Sequence, residues 1–585
     1  GSSHFGSSSS CPLRVQPYLR QRSHKQPSSI TANSRMTMEM LSLHSALAAP
    51  VPRARATGRK LMIFTSGSRG DVQPFAALGS ALQSAGFVVR IITNVNHVSF
   101  LNTFGLDTVG ITYDMEKMIR EDPVMREALA KGRMSKFLAC MAAENERSFP
   151  DNLAAKIQAI DEWKPDIVIT TPLEATEIEA IAGTRRIPVM RAGLQCVYPS
   201  AEQPTMLGEP TWAPHRLCGM LLMYMWWSGE HSKTAEILKQ LPESRQNLSL
   251  NFREFMLNSN HPFAPVMVGF SPNMYSPKKD WNAEQVEQTK FTGFWVVHKE
   301  EQESRLRAND PAFGGGDVAA LQEFLAAGPA VYIGWGSMIA VSEFHMACLA
   351  VRSLMKAGLR GIILGGWAKL NASMLVDQPD SEAMEAYAKD NVLFVKTAPH
   401  EWLFPQCLAT VHHGGSGTTA AALRSGVPTV ITPVAFDQFD NSMLAANNGV
   451  GIALRQFSKV TVADLATAIN KCVTDKKMRD NAKAFSEKLR TEGGLRNAVQ
   501  IVDDFTLNEV DTGKWRAKLE TRCLQMRQLR QKPEGCFSWL ADICGVGGSD
   551  HLVKVAKTTL DSSCEPSHTM PVLLGSSAES AIKQK

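Results

Sequence analysis

Residues 60–93 run strand, glycine-bearing turn, helix and strand within about thirty residues, and that unit constrains the fold of this 585-residue sequence more than any other feature. Lys60–Ser66 (KLMIFTS) is a continuous apolar run, as a strand covered on both faces requires. Gly67–Asp71 reads as a turn and Pro74–Ala85 as a helix, with Pro74 near its start, where a missing N–H costs nothing. Phe87–Thr93 is the second strand. Two parallel strands joined by a helix commit the chain to a parallel sheet with helices on its faces. Asp166–Thr171, a helix from Glu174, and Pro188–Ala192 extend the pattern. Residues 197–290 are irregular and rich in Trp, Met, Phe and Pro, with one sheet strand expected at Val266–Phe270. A polar stretch, 298–329, contains Gly314–Gly316 and reads as a linker. Alternation then restarts, with strands expected at Ala330–Gly334, Gly361–Leu364, Val392–Val395, Ala409–His412 and Thr429–Thr432. The fold class is therefore α/β, with two Rossmann-like, doubly wound parallel-sheet domains at 59–297 and 330–506. Their natural ligand site is the interdomain cleft at the carboxyl ends of the strands.

Charge is spread unevenly. Of the net +5, +8 falls in residues 1–60, where nine Lys and Arg meet one acid, Glu39, so the remaining chain carries −3. A body of that sign makes no case for nucleic-acid binding. Residues 1–58, rich in Ser, Arg, Pro and Gln, are too polar to offset their ordering entropy and are expected to be disordered. Two origins stay open for them: an organelle import signal, or an added or upstream-translated leader ahead of Met36. The α/β rhythm stops near 507, and 507–585 reads as a C-terminal extension. Eleven scattered cysteines without a C-x-x-C point to reduced, mostly buried thiols rather than a zinc ribbon or a disulfide framework. The longest apolar run, Leu217–Trp227, is half the roughly 20 residues a membrane-spanning helix needs. The expectation is a cytoplasmic protein, with that run as a candidate peripheral contact to a membrane surface.

Most of the chemistry lies in Val411–Pro433 (VHHGGSGTTAAALRSGVPTVITP), followed by Asp437 and Gln438. A strand ends at the histidines, a Gly/Ser/Thr turn follows, and a helix is expected to begin near Thr418. A helix start exposes backbone N–H groups to an anion, and the glycines allow a phosphate close approach. His413 can donate a hydrogen bond to a pyrophosphate oxygen. A Gly-rich turn alone reads better as a ligand-free connection, with one histidine a satisfied strand-end residue. On the first domain, Asp71 follows the first strand and faces the cleft, where a carboxylate can act as a general base, and His97 is a weaker alternative. Asp71 reads alternatively as a helix cap. D-x-D, Walker-A, HExxH and G-x-S-x-G patterns are absent, GGSG at 414–417 being one residue short of the last.

With Gly67–Pro74 (GSRGDVQP), Val331–Met338 (VYIGWGSM) and Ala398–Pro405 (APHEWLFP), this segment resembles the donor signature of GT-B fold, family 1/28-type UDP-glycosyltransferases. The likeness is to sterol 3β-glucosyltransferases and antibiotic (glycopeptide and macrolide) glycosyltransferases, and spans about residues 60–505. It implies an acceptor-binding first domain, with Asp71 as general base and Gly67, Ser68 and Arg69 beside the acceptor. It implies a nucleotide-sugar-binding second domain, with Ser337, His413, Gly415, Ser416, Gly417 and Thr418 about the diphosphate. Ala398 would meet the base through its backbone, and Asp437 and Gln438 the sugar hydroxyls.

Two departures stand out. Ala421 replaces the Glu that plant and animal relatives use for the ribose, which leaves UDP and dTDP harder to separate. Gln195–Pro199 (QCVYP) replaces an aromatic-Pro-Met-Pro-Trp run common in sterol enzymes. The resemblance implies inverting, metal-independent transfer of glucose from UDP-glucose, a co-substrate with no further cofactor, to a lipophilic small-molecule acceptor such as a sterol. A polyketide or macrolide acceptor, and a catalytically silent sugar-nucleotide-binding partner, are the alternatives. The aromatic and Met-rich residues Trp212, Met220, Met223, Met225, Trp226, Trp227, Phe252, Phe255 and Trp281 suit a flat lipophilic acceptor, though core packing explains most of them as well.

Overall fold

The computed structural model describes residues 51–531, apart from 113, 132, 196–197 and 206–211. The expectations for residues 1–50 and 532–585 lie outside the described residues, as do Cys196 and Val197 of the QCVYP run. Two wholly parallel sheets organise the fold. The first contains β1 (Lys60–Phe64), β2 (Val88–Asn94), β3 (Asp107–Thr112), β4 (Ile167–Thr170), β5 (Val189–Gly193), β6 (Val266–Val268) and β7 (Thr289–Phe291), in the order β3-β2-β1-β4-β5-β6-β7. The second contains β8 (Val331–Gly334), β9 (Gly361–Leu364), β10 (Val392–Val395), β11 (Thr410–His412), β12 (Thr429–Ile431) and β13 (Gly451–Ala453), in the order β10-β9-β8-β11-β12-β13.

Central strands match their expected positions because burial on both faces writes them as apolar runs. Leu61, Met62, Ile63 and Phe64 are all buried, with Ile63 in register with Ile91 and Ile169. The strands absent from the sequence reading, β3, β7 and β13, each lie at a sheet edge, where a short polar sequence such as TKF suffices. Each order reverses direction between neighbouring strands, at β1/β4 and at β8/β11. At such a reversal the crossovers diverge to opposite faces and open a crevice at the strand carboxyl ends.

Seven helices bear on the site: α1 (Arg69–Ser84), α2 (Ala175–Arg185), α3 (His215–His231), α4 (Ser416–Ser425), α5 (Gln438–Asn447), α6 (Leu495–Phe505) and α7 (Lys514–Gln531). Helix α1 starts five residues before the expected Pro74, because Ser68 and Asp71 form a capping box at its first turn. Pro74 thus sits inside the helix and offers no N–H to the Gly70 carbonyl. Residues 197–290, expected to be irregular, hold α3 and the helices Thr234–Gln240, Phe252–Asn260 and Ala283–Gln288.

Tertiary packing redraws three boundaries. Residues 51–58 are not a disordered end: Ala54 and Ala56 are buried, and their N–H groups donate to Ala85 O (2.9 Å) and Asp503 Oδ1 (2.8 Å). The 298–329 segment contains helices Lys299–Arg307 and Val318–Ala326, and places Phe313 in the first domain's core and Leu321 in the second's. Helix α6 crosses back to the first domain. Its stripe Leu495, Ala498, Val499, Val502 and Phe505, at i, i+3, i+4, i+7 spacing, joins the core of β1 and α1, and Trp515 of α7 follows it. The six described cysteines are free thiols, three of them buried.

Under the crevice of the first sheet sits a buried ionic cluster. Lys156 donates to Glu174 and to Glu177 (2.9 Å), and Lys233 bridges Glu177 and Glu230. Lys156, Glu174 and Glu177 are each under a tenth exposed, so removing the ammonium strands two desolvated carboxylates. Lys156→Met is expected to lower stability by about 3–5 kcal/mol in urea unfolding, and adding Glu174→Gln and Glu177→Gln to recover most of that loss.

Candidate active site

The turn after β1 is held from both sides. Gly67 donates its N–H to Asn94 Oδ1 (2.8 Å), and its carbonyl meets His97 Nε2 (3.0 Å). Gly67 has φ +126°, and a Cβ there would lie 2.6 Å from Asp71 Oδ2, so only glycine leaves room for that carboxylate. Asp71 Oδ2 accepts from the N–H (2.7 Å) and hydroxyl (2.9 Å) of Ser68. The carboxylate keeps contact with solvent, yet the protein around it withholds hydration and pushes its pKa up, against the lowering effect of the Ser68 bonds. Asp71 is thus both the capping-box partner of the N-cap Ser68 and a carboxylate made more basic. His97 is buried, which lowers its pKa, and its Nε2 is engaged with the turn.

Arg69 is turned to another task. Its guanidinium donates to Ala312 O (2.7 Å) and Gln73 Oε1 (3.1 Å) and stacks over Phe100 at 4.4 Å, so it ties the turn to the segment joining the domains.

In the second domain, β11 ends at His412 and α4 begins at Ser416, two residues earlier than expected. Helix α4 has Gly415 at its N-cap and no side-chain cap, so its first N–H groups lack partners within the helix. His412 is wholly buried, its Nδ1 accepting from the Gly414 N–H (3.0 Å). The His413 ring is wedged between two glycines: a Cβ on Gly415 would lie 2.4 Å from Nε2, and one on Gly336 would lie 2.9 Å from Cε1. Burial lowers the His413 pKa to about 4, so the ring is neutral and offers an N–H rather than a charge. Its Nδ1 is buried without a hydrogen-bond partner. Ser337 follows Gly336 in the loop after β8, and Ala398 packs half-buried ahead of the helix His400–Leu403. Gly415, Ser416, Gly417 and Thr418 are all half-buried along the start of α4. Ala421 lies on the far side of that start, buried against Leu403 and Phe404 in the core.

The two halves meet at Asp437. Its Oδ2 accepts from Ser416 Oγ (2.9 Å), Asn441 Nδ2 (3.3 Å) and, from the first domain, Gln195 Nε2 (3.4 Å). Burial and then the charge of Asp71 push the Asp437 pKa up to about 7, with the Ser416 bond opposing. Phe436, just before it, is held at φ +56°, a conformation that costs about 1–3 kcal/mol for a bulky residue and aims the start of α5 at the cleft. Gln438 is buried, and its Oε1 accepts from the N–H groups of Val434 (2.8 Å) and Ala435 (3.1 Å), so it braces the loop before α5. A Cβ on Gly417 would sit 3.5 Å from the carbonyl of Gly70, the one Pro74 leaves without a helical donor.

Gln195 and Asn441 are site residues that the sequence reading did not single out. Asn441 donates to Gly414 O (2.8 Å) and joins the Asp437 carboxylate, and its i, i+4 spacing from Asp437 was the available signal. Gln195 has no comparable local signal, since its partners come from the other domain.

Gln195 also lines an open cavity at the carboxyl ends of β5 and β6. Trp226, Trp227, Met223, Phe255 and Tyr198 wall it. Met220 and Phe252 pack behind that wall, Trp281 is buried against Tyr198, and Trp212 and Met225 face solvent. Among the described residues no group of three or more His, Cys, Asp or Glu is placed to hold a metal ion, and no helix is long and apolar enough to cross a membrane.

Residues 61–156 match the glycosyltransferase family 28 N-terminal domain, and residues 362–502 the erythromycin biosynthesis protein CIII-like C-terminal domain. The sterol 3-beta-glucosyltransferase of Saccharomyces cerevisiae is 30% identical over 460 residues, covering 76% of this chain and 35% of that protein. That of Emericella nidulans is 28% identical over 456 residues, covering 76% and 30%. The chain thus spans about a third of the length of these curated relatives. Among solved structures, the kitacinnamycin glycotransferase aligns with a TM-score of 0.50 at 16% identity, over 76% of this chain and 98% of that one. The calicheamicin glycosyltransferase CalG4 aligns with 0.50 at 15%, over 77% and 98%. The chain thus carries a match to the family 28 N-terminal glycosyltransferase domain in its first domain and to the erythromycin CIII-like C-terminal domain in its second, on the two-domain GT-B fold.

Proposed function

We propose that the chain transfers glucose from UDP-glucose to the hydroxyl of a lipophilic acceptor, a sterol, with inversion at the anomeric carbon. The observation that carries this reading is that the second domain's Asp437 accepts a hydrogen bond from the first domain's Gln195 (3.4 Å), while a Cβ on Gly417 of α4 would lie 3.5 Å from the carbonyl of Gly70, the residue before Asp71. A sugar bound at Asp437 therefore lies beside a carboxylate able to take the acceptor proton. The acceptor O–H loses its proton to Asp71 as its oxygen bonds to the anomeric carbon. The bond from that carbon to the diphosphate breaks, and UDP leaves with the electron pair. The unpaired N–H groups at the start of α4 and the neutral His413 ring stabilise the departing diphosphate. The positive end of the field is thus built from backbone dipoles, with no cofactor assigned a part. The names of the curated relatives favour a sterol over a macrolide.

Loading from a membrane fits the same reading. Helix α3 turns Met223, Trp226 and Trp227 toward the cavity, and presents Leu217, Leu221, Tyr224 and Met225 outward, each more than two-fifths exposed. The exposed apolar face and the cavity wall are two sides of one helix, and a bilayer surface is the occupant from which a lipid alcohol would enter.

Three outcomes are expected. Asp71→Asn should lower kcat with UDP-glucose and sterol by about 10²–10⁴-fold while leaving UDP-glucose affinity nearly unchanged. Equal activity would remove Asp71 from the reaction, and donor binding without turnover of any lipid alcohol by the native chain would favour a silent binding partner. UDP-glucose affinity, measured by calorimetry, should rise as pH passes through about 7 and Asp437 ionises, whereas UDP affinity should not. In Asp71→Asn that inflection should move to lower pH, because a like charge has been removed. Leu221→Glu with Met225→Glu should abolish flotation with phosphatidylcholine–sterol vesicles without changing turnover of a detergent-dispersed sterol.

A further inference from the structure

The loop that follows β5 carries two glutamines, Gln195 and Gln203, and both reach across to the second domain. Gln195 Nε2 donates to Asn441 Oδ1 (3.1 Å) and to Asp437 Oδ2 (3.4 Å). Gln203 Nε2 donates to both oxygens of Asp440 (2.9 and 3.2 Å). Positions 437, 440 and 441 are i, i+3 and i+4, one face of the start of α5. Between the glutamines the loop is pinned to its own domain. Asp280 accepts from Ser200 Oγ (2.9 Å) and the Ala201 N–H (2.9 Å), and the Tyr198 ring meets Trp281 edge-on at 5.2 Å. Loop and helix form a clasp with two arms.

The arm at Gln195 ends on a side chain that has no water to turn to. Asn441 is wholly buried, and its Nδ2 donates to Gly414 O (2.8 Å) and Asp437 Oδ2 (3.3 Å). Among the described residues, Gln195 is the one donor to its Oδ1. Exchanging N and O of that amide would set an oxygen against two acceptors, so all three bonds agree on one orientation. Asp437 in turn receives Ser416, Asn441 and Gln195 on the same oxygen, Oδ2, and among the described residues no side chain donates to Oδ1. A carboxylate fixed through one oxygen offers the other in a set direction. Gln203 stops at Asp440 and takes no part in this arrangement.

We infer that Gln195 is a positioning residue for the donor sugar, lent by the acceptor domain: directly and through Asn441, it fixes the Asp437 carboxylate and leaves Oδ1 for a sugar hydroxyl. This rests on the glucosyltransferase reading above. It adds that the sugar half of the donor is recognised only with both domains in contact, whereas the UDP half is held by the second domain alone.

The probes are UDP-glucose and UDP, titrated by calorimetry into the full chain. Gln195→Leu should weaken UDP-glucose about tenfold, because a buried amide and a carboxylate both lose a donor, and leave UDP within about twofold. Gln203→Leu, whose lost bonds end at Asp440, should leave both ligands within about threefold. The pH at which UDP-glucose binding strengthens separates positioning from packing. Asp437 faces the charges of Asp71 and Asp440, and Gln195→Leu keeps both. Losing an N–H donor to the ionised carboxylate should therefore move that inflection above its native pH. Gln195→Asn, polar but one methylene too short to reach, is the second variant and should show the same selective loss. Unchanged UDP-glucose binding in Gln195→Leu, an equal loss for UDP, or an unmoved inflection overturns the inference and leaves the glucosyltransferase reading standing. Failure of the native chain to bind UDP-glucose overturns both.

Discussion

Parallel strand pairing is the constraint on which the rest depends. Each crossover returns the chain to the same end of the sheet, so all carboxyl-terminal loops collect on one edge. The reversals at β1/β4 and β8/β11 open a crevice on that edge of each sheet. The turn holding Asp71 follows β1, and the glycine-rich start of α4 follows β11, so the two chemically richest loops stand at the two reversals. Helix α6 completes the arrangement by burying its apolar stripe in the first domain's core after the second domain has been built. The chain thereby links the domains twice, through 298–329 and through the return to α6.

The electrostatics of the candidate site are set by desolvation and fixed dipoles rather than by ionic charge. Burial makes His413 neutral and Asp437 hard to ionise, and the protein around Asp71 makes that carboxyl more basic. Glycines at 67, 336 and 415 act here as space: each lies where a Cβ would strike the side chain of Asp71 or His413. His413, expected to offer a hydrogen bond to a diphosphate, is a neutral ring whose Nδ1 has no partner within the protein.

Much of this was legible in sequence. The central strand Gly361–Leu364 and the edge strand Val392–Val395 both match residue for residue, because an apolar run bounded by turns has few other uses. The strands without an expected position, β3, β7 and β13, are edge strands whose short sequences carry polar or small residues, whereas the fourth edge strand, β10, is the apolar run VLFV. Helix α1 starts before the turn that Pro74 suggests, because Ser68 and Asp71 carry the capping signature. Residues 197–290 seemed irregular because their helices pack apolar residues around a cavity as well as a core, which blurs the helical period.

The sequence by itself determined two parallel α/β units, the turn that carries Asp71, the glycine-rich helix start after His413, and the likeness that joins them. These depend on local periodicity and turn chemistry, which neighbouring residues encode. Only the tertiary structure decided that Gln195 and Asn441 share Asp437, that Arg69 and Gln438 brace loops, and that α6 belongs to the first domain. Those facts depend on contacts between residues up to hundreds of positions apart, such as the 242 that separate Gln195 from Asp437, and no local pattern records them.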